Sequence, residues 1–157
     1  MANKEKKIDE VDKSIIKILQ VNARTTASDI AESVGMSVPA ISERLRKLES
    51  SGVVDRYTVI LDNEKLGKDI MSVMLVALDA PNEKNSSSFR EMVRSEVGIL
   101  ECFSVTGEFD YQLKIVTSST ASLEDLIRKI KAATGGAKTN TSIVMSTVKL
   151  SFPIELD

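Results

Sequence analysis

The chain has 157 residues, 42% hydrophobic and 28% charged, with a formal net charge of −2, the make-up of a globular chain long enough for one ordinary domain or two small ones. It holds no histidine and one cysteine, Cys102, which excludes Ser-His and Cys-His nucleophilic pairs, an internal disulfide, and imidazole or multi-thiolate metal sites. No apolar run approaches a membrane span, no phosphate-binding glycine motif occurs, and the charged opening Met-Ala-Asn-Lys-Glu-Lys-Lys leads into no apolar signal core, so a cytoplasmic protein without metal, cofactor or catalytic centre is expected.

Residues Met1–Asp62 carry ten Lys/Arg and ten Asp/Glu, and the remainder eleven and thirteen. Neither part is a basic field, so affinity for any polyanion would have to come from local placement of cations and from several copies acting together.

Ile8–Asn22 reads as a helix. Ile8, Val11, Ile15, Ile16, Ile18 and Leu19 share one face, and Asp9, Glu10 and Asp12 sit at the positive end of the dipole. Thr26 caps a second helix, with Asp29 three residues on as a variant capping box. Its inward residues are Ala27, Ile30, Ala31 and Val34, and Gly35 stops it. Ser37 is placed to cap a third helix, with Pro39 in its first turn, where the missing N–H does no harm. Two helices joined by a tight glycine-containing turn make a helix-turn-helix.

On the third helix Val38, Ile41, Leu45 and Leu48 fall in one arc, the expected core face. The opposite arc carries Pro39, Glu43, Arg46, Lys47 and Ser50, flanked by Ala40, Ser42 and Arg44. Arg44 stands where many such motifs bury an apolar residue, and Leu45 takes over that packing. A face that is small at its N-terminal end and basic further along suits the major groove of duplex DNA. Arg or Lys there meets guanine or phosphate, and Glu43 accepts from cytosine. Ser37, Pro39, Ala40, Ser42, Glu43, Arg44, Arg46 and Lys47 are the candidate DNA-contacting residues. An amphipathic helix solvated by its own cations is the plainer alternative, and the helix-turn-helix context favours DNA. Gly52 ends the helix. Val53–Tyr57 and Thr58–Leu61 then form either a small ribbon or one strand leading onward, and the polar run Asp62–Gly67 is the linker.

From Ile70 the pattern becomes strand, helix, strand, strand, helix, strand. The strands are Ile70–Leu78, Ile99–Val105, Tyr111–Thr117 and about Thr141–Leu150. The helices present Phe89, Met92, Val93 and Val97, then Leu123, Leu126, Ile127 and Ile130. Asn85–Ser88 and Thr117–Ser122 read as loops and caps. The fold class is α+β: an N-terminal winged helix-turn-helix over 1–62 and a ferredoxin-like βαββαβ domain over 63–157. The first strand is apolar on both faces and two helices cover only one, so a homodimer is expected to cover the other. In the turn Val105–Tyr111, Gly107 supplies the backbone conformation, exposed amides suit a carboxylate, and Glu108 or Asp110 suits an ammonium group. Thr139 and Thr141 add hydroxyls near the last strand's start. An ordinary hairpin turn is the plainer alternative.

These residues carry a resemblance to the Lrp/AsnC (feast/famine) regulators. Its marks are Ile8-Asp9-x-x-Asp12-x-x-Ile15-Ile16-x-x-Leu19-Gln20-x-Asn22-x-Arg24, Ile30-Ala31-x-x-Val34-Gly35-x-Ser37, Arg44-Leu45-x-x-Leu48-Glu49-x-x-Gly52-Val53-Val54-x-x-Tyr57, and Val105-Thr106-Gly107-Glu108-Phe109-Asp110-Tyr111. The resemblance spans almost the full length. It implies that the second domain is the effector-binding RAM fold, that dimers assemble further, often to octamers, and that an amino acid or related metabolite binds where dimers meet. The positions it assigns to the effector are Gly107, Glu108, Asp110, Thr139 and Thr141. Arg56 departs from the family, which often has glycine there. Two rivals stand beside this reading. One is an architectural DNA-binding protein without an effector. The other is a tetrapyrrole decarboxylase branch of similar fold, which relies on histidine.

Overall fold

The computed structural model describes residues 8–78, 83–150 and 153–156; the charged opening over 1–7 lies outside them. The chain divides into two compact units, Met1–Ile60 with Lys149–Asp157, and Leu61–Val148. Sequence alone assigns the last residues to the second domain instead.

In the first unit, α1 (Glu10–Val21) starts at a full capping box. Asp9 accepts from the Asp12 backbone, and the Asp12 side chain accepts from the Asp9 backbone, so helix orphan donors are satisfied reciprocally. α2 (Ala27–Val34) starts on Thr26 and Asp29 in the same way and stops at Gly35, whose φ of 66° is left-handed. α3 (Val38–Ser50) has Ser37 at its N-cap and Pro39 in its first turn, but the Ser37 hydroxyl makes no capping bond. Ile15, Ile30, Ala31, Ile41 and Leu48 form the core, with Leu45 packed partly against it. Val38, expected inward, is 43% exposed; it lies in the helix's opening turn, ahead of the arc that Ile41 and Leu48 bury. Among the described residues the wing segment after Gly52 forms no strand ladder. Val54 N–H bonds back to Leu48, and the Tyr57 hydroxyl reaches Glu49 at 3.1 Å, which ties the segment to α3 in place of a returning strand.

The second unit is a four-stranded antiparallel sheet in the order β2-β3-β1-β4, the arrangement expected of a split βαβ sandwich. Its elements are β1 (Ile70–Ala77), α4 (Glu83–Ser95), β2 (Ile99–Ser104), β3 (Tyr111–Thr117), α5 (Thr120–Thr134) and β4 (Lys138–Ile143). Period-two alternation on β1 buries Ser72, Met74 and Val76 under the helices, and the alternate residues Met71, Val73, Leu75 and Ala77 stay half-buried on the other face. Phe89 of α4 and Leu123, Leu126 and Ile130 of α5 complete the core.

Three expectations about this unit are corrected. β4 begins at Lys138 and ends at Ile143 instead of running from Thr141 to Leu150. It pairs with β1, and once Val144 N–H has met the Met71 carbonyl at 2.9 Å β1 has almost no backbone left to offer. Val97 is 91% exposed rather than on the core face, because α4 ends at Ser95 and the chain turns through Glu96–Gly98 before β2. Asn85–Ser88 lies inside α4, not in a loop; the burial of Phe89 carries the helix through these weak formers.

Candidate nucleic-acid interface and effector turn

The candidate interface is the outward side of α3. Ser37, Pro39, Ser42, Glu43, Arg46 and Lys47 are exposed and Ala40 is half-buried. These side chains form an ion-pair cluster. Arg46 donates to both oxygens of Glu43, at 2.9 and 2.8 Å, and Lys47 lies 3.3 Å from the same carboxylate. Hydrogen bonds from Arg46 and then Lys47 hold the Glu43 carboxyl down to about 2, so it is ionised throughout the neutral range. The cluster is a supply of cations already paired with one anion that DNA phosphate can replace.

Arg44 lies at the edge of that face, lining one pocket with Ala40, Glu43 and Lys47. Its guanidinium crosses to the start of α1, 2.8 Å from Asp9 and 2.7 Å from Asp12. Both acceptors belong to α1's capping box and both bonds come from Nη1 of a half-buried side chain, so the guanidinium that braces α1 also stands at the margin of the surface expected to meet DNA. The same contacts raise the Arg44 pKa. The Asp9 carboxyl is lowered, first by its bond from the Asp12 backbone and then by Arg44. Arg44 therefore fixes the recognition helix against α1. Sequence alone ties Asp9 and Asp12 only to the helix dipole; a partner 32 or more residues away is a tertiary fact.

The turn after β2 is built around Asp110 and Gly107. Asp110 N–H donates to the Val76 carbonyl at 2.9 Å, and Leu78 N–H donates to Asp110 Oδ2 at 2.7 Å. Asp110 thereby finishes the end of β1, with one carboxylate oxygen, Oδ2, engaged by the protein's own backbone. Gly107 has φ of 117°, a conformation side-chain-bearing residues rarely adopt. Glu108 pairs with Lys138 at the start of β4, which holds its carboxyl below the ordinary range, and Lys138 also lies 5.5 Å from the centre of the Phe109 ring. Thr139 and Thr141 are half-buried on β4, paired with Val76 and Met74 on the helix-covered side. The structure thus brings together Glu108, Phe109 and Lys138, with Thr139 next along the strand and Thr141 two residues further. Lys138 carries no signal in the sequence, because only the β1–β4 register places it beside the turn.

No helix among the described residues is long and apolar enough to cross a membrane. Residues 8–55 match the winged helix-turn-helix DNA-binding family, and residues 72–154 match the Lrp/AsnC ligand binding domain. The chain is 31% identical to the transcriptional regulator AzlB of Bacillus subtilis, over 96% of each protein. It is also 31% identical to the leucine-responsive regulatory protein of Rhizobium meliloti, over 95% of this chain and 96% of that one. A transcriptional regulator of Neisseria meningitidis, solved as an L-Met complex, matches with a TM-score of 0.89 at 25% identity, covering 96% of this chain and 98% of that one. The feast or famine regulatory protein of M. tuberculosis, complexed with L-methionine, matches with a TM-score of 0.83 at 28% identity, covering 92% and 96%. With a DNA-binding helix-turn-helix followed by a ligand-binding domain of this kind, the chain belongs to the Lrp/AsnC family of transcriptional regulators.

Proposed function

We propose that the protein acts in the cytoplasm as a homodimer, assembling further to octamers, that reads duplex DNA through α3 and answers to an amino acid or related metabolite. It acts by binding, not by catalysis. The observation that carries the DNA reading is the exposed Glu43–Arg46–Lys47 cluster on the outer side of a helix whose opposite side is packed. Arg46 and Lys47 meet phosphate or guanine, displacing Glu43, while Ser37, Pro39, Ala40 and Ser42 keep the helix's leading end small enough to approach the bases. The half-buried apolar row Met71, Val73, Leu75 and Ala77, with the exposed Phe103 beside it, supports burial of that sheet face against a second copy.

The effector reading rests on the turn at Gly107–Asp110 and on two relatives whose structures hold L-methionine. In this chain Glu108 or Asp110 receives the ammonium group, Gly107 leaves backbone amides free for the carboxylate, and Thr139 and Thr141 lie along the adjoining strand. Asp110 shapes the turn. Thermal unfolding against the proteinogenic amino acids tests this: an effector at a hundred times its Kd stabilises by about 2.7 kcal/mol, and Glu108→Ala removes the shift. If no amino acid moves the transition, the effector-independent architectural reading replaces it.

A further inference from the structure

The sheet face away from the helices carries apolar and polar side chains in a fixed order. Register places Phe103, Gln112, Leu75 and Asn140 in one row across β2, β3, β1 and β4, and Glu101, Lys114, Val73 and Ser142 in another. Side chains in one row of an antiparallel sheet point to the same side, about 5 Å apart. In the second row Lys114 Nζ donates to Glu101 Oε1 at 3.0 Å. Lys114 is half-buried, with 29% of its side chain exposed, and Glu101 is more open at 44%. β3 is a central strand, so this ammonium group stands beside Val73 in the middle of the face, not at its rim.

Whatever covers the apolar residues Val73 and Leu75 also covers Lys114, and takes water from a charge. An ion pair removed from water holds only while both members keep a partner, and a charge left alone there is strongly destabilising. The other polar groups of the two rows, the carboxamides of Gln112 and Asn140 and the hydroxyl of Ser142, each donate and accept. The two rows therefore carry no net charge and are complementary to themselves. That is the requirement of a two-fold contact, in which one patch meets its own copy. A covering surface with an excess of acid or base would set a like charge against Glu101 or Lys114.

We infer that the Lys114–Glu101 pair selects the partner of this face: it admits a second copy of this chain and excludes a related chain whose charge there is unbalanced. Such selection operates only within the homodimer proposed for this face. The apolar residues supply the drive to associate. The ion pair supplies the discrimination, because like charges brought together on a covered surface cost far more than on an open one.

Native mass spectrometry of full chains, read at the dimer mass with one chain carrying a mass tag, tests the selection. Lys114→Glu puts two carboxylates on each face and Glu101→Lys two ammonium groups, so a self-dimer of either brings only like charges together, while the mixed dimer is balanced. Each variant alone is expected to dimerise about tenfold or more weakly than the wild-type chain, and an equimolar mixture to form mixed dimers at near wild-type strength. Lys114→Gln and Glu101→Gln carry the same test with less disturbance of the sheet: each weakens its own dimer by about threefold or more, and their mixture recovers it. A wild-type dimer, with variants that self-associate as tightly and mix statistically, would overturn the selection and leave the homodimer standing. A wild-type chain that stays monomeric at micromolar concentration would overturn the homodimer and the selection together.

Discussion

Arg44 of the recognition helix stands 2.7 Å from Asp12, inside the capping box that begins α1. Through this one side chain the helix expected to read DNA is braced against the start of another helix, and the two basic positions that follow at 46 and 47 are left outward. Arg44→Ala is expected to cost about 1 kcal/mol, the upper end for a partly exposed pair, seen as a fall of a few degrees in Tm. DNA affinity falls with it because α3 is less firmly held, yet the slope of log K against log salt stays unchanged, since the same phosphates are neutralised.

Arg46→Ala and Lys47→Ala behave differently. Each removes about one phosphate contact per subunit and lowers the salt slope by about 0.9 for each phosphate no longer neutralised, with little change in Tm because both side chains are exposed. Glu43→Gln is expected to tighten DNA binding, as it removes the anion that competes with phosphate for both cations. Titration of labelled duplex at several salt concentrations separates the three outcomes.

The same carboxylate gives a pH signature. Its folded-state pKa is about 2 against an ordinary value of 4.5. A group depressed on folding contributes stability above its unfolded pKa and loses it as pH falls through the folded one. Stability is therefore expected to decline from pH 4.5 toward 2, with Asp9 and Glu108 adding to the slope in the same direction. In Glu43→Gln the thermal midpoint falls less steeply over that window, while its pH dependence in the neutral range is unchanged.

At the turn, Asp110→Ala leaves the Leu78 N–H without its acceptor, at a cost of about 1–3 kcal/mol for an unsatisfied backbone donor. Asp110→Asn keeps an oxygen in place and recovers most of that loss. Calorimetric unfolding of the two variants distinguishes this structural role from direct contact with a charged effector, for which the Asn variant would fail as badly as the Ala one in binding.

Ser72 offers a prediction of the opposite sign. Its hydroxyl is buried in the sheet's core face and, among the described residues, has no hydrogen-bond partner. Ser72→Ala removes an unsatisfied polar atom while leaving the chain's path intact, so it is expected to be neutral or to stabilise by up to about 2 kcal/mol, measured by urea unfolding.

Much of the fold is legible in the residues themselves. Helical periodicity finds Ile15, Ile30, Ile41 and Leu48, and the capping residues Thr26 and Asp29 mark a helix start, because those signals are local. The four strands and their helices follow from alternation in the same way. What escapes is set by pairing between distant segments. β4's limits depend on where β1 begins, Lys138 reaches Glu108 only through that register, and Gln20 meets Ile154 across 134 residues. A helical wheel gives Arg44's direction but not the carboxylates waiting on another helix.

The most direct test is selection of bound sites from random duplex DNA at near-physiological salt, with the wild-type chain and an Arg46→Ala/Lys47→Ala double variant in parallel. The wild-type protein is expected to enrich two-fold-related half-sites about one helical turn apart, roughly 10 bp, and the double variant to enrich none. Equal enrichment of the same sites by both proteins would contradict the assignment of α3's outer face as the surface that reads DNA.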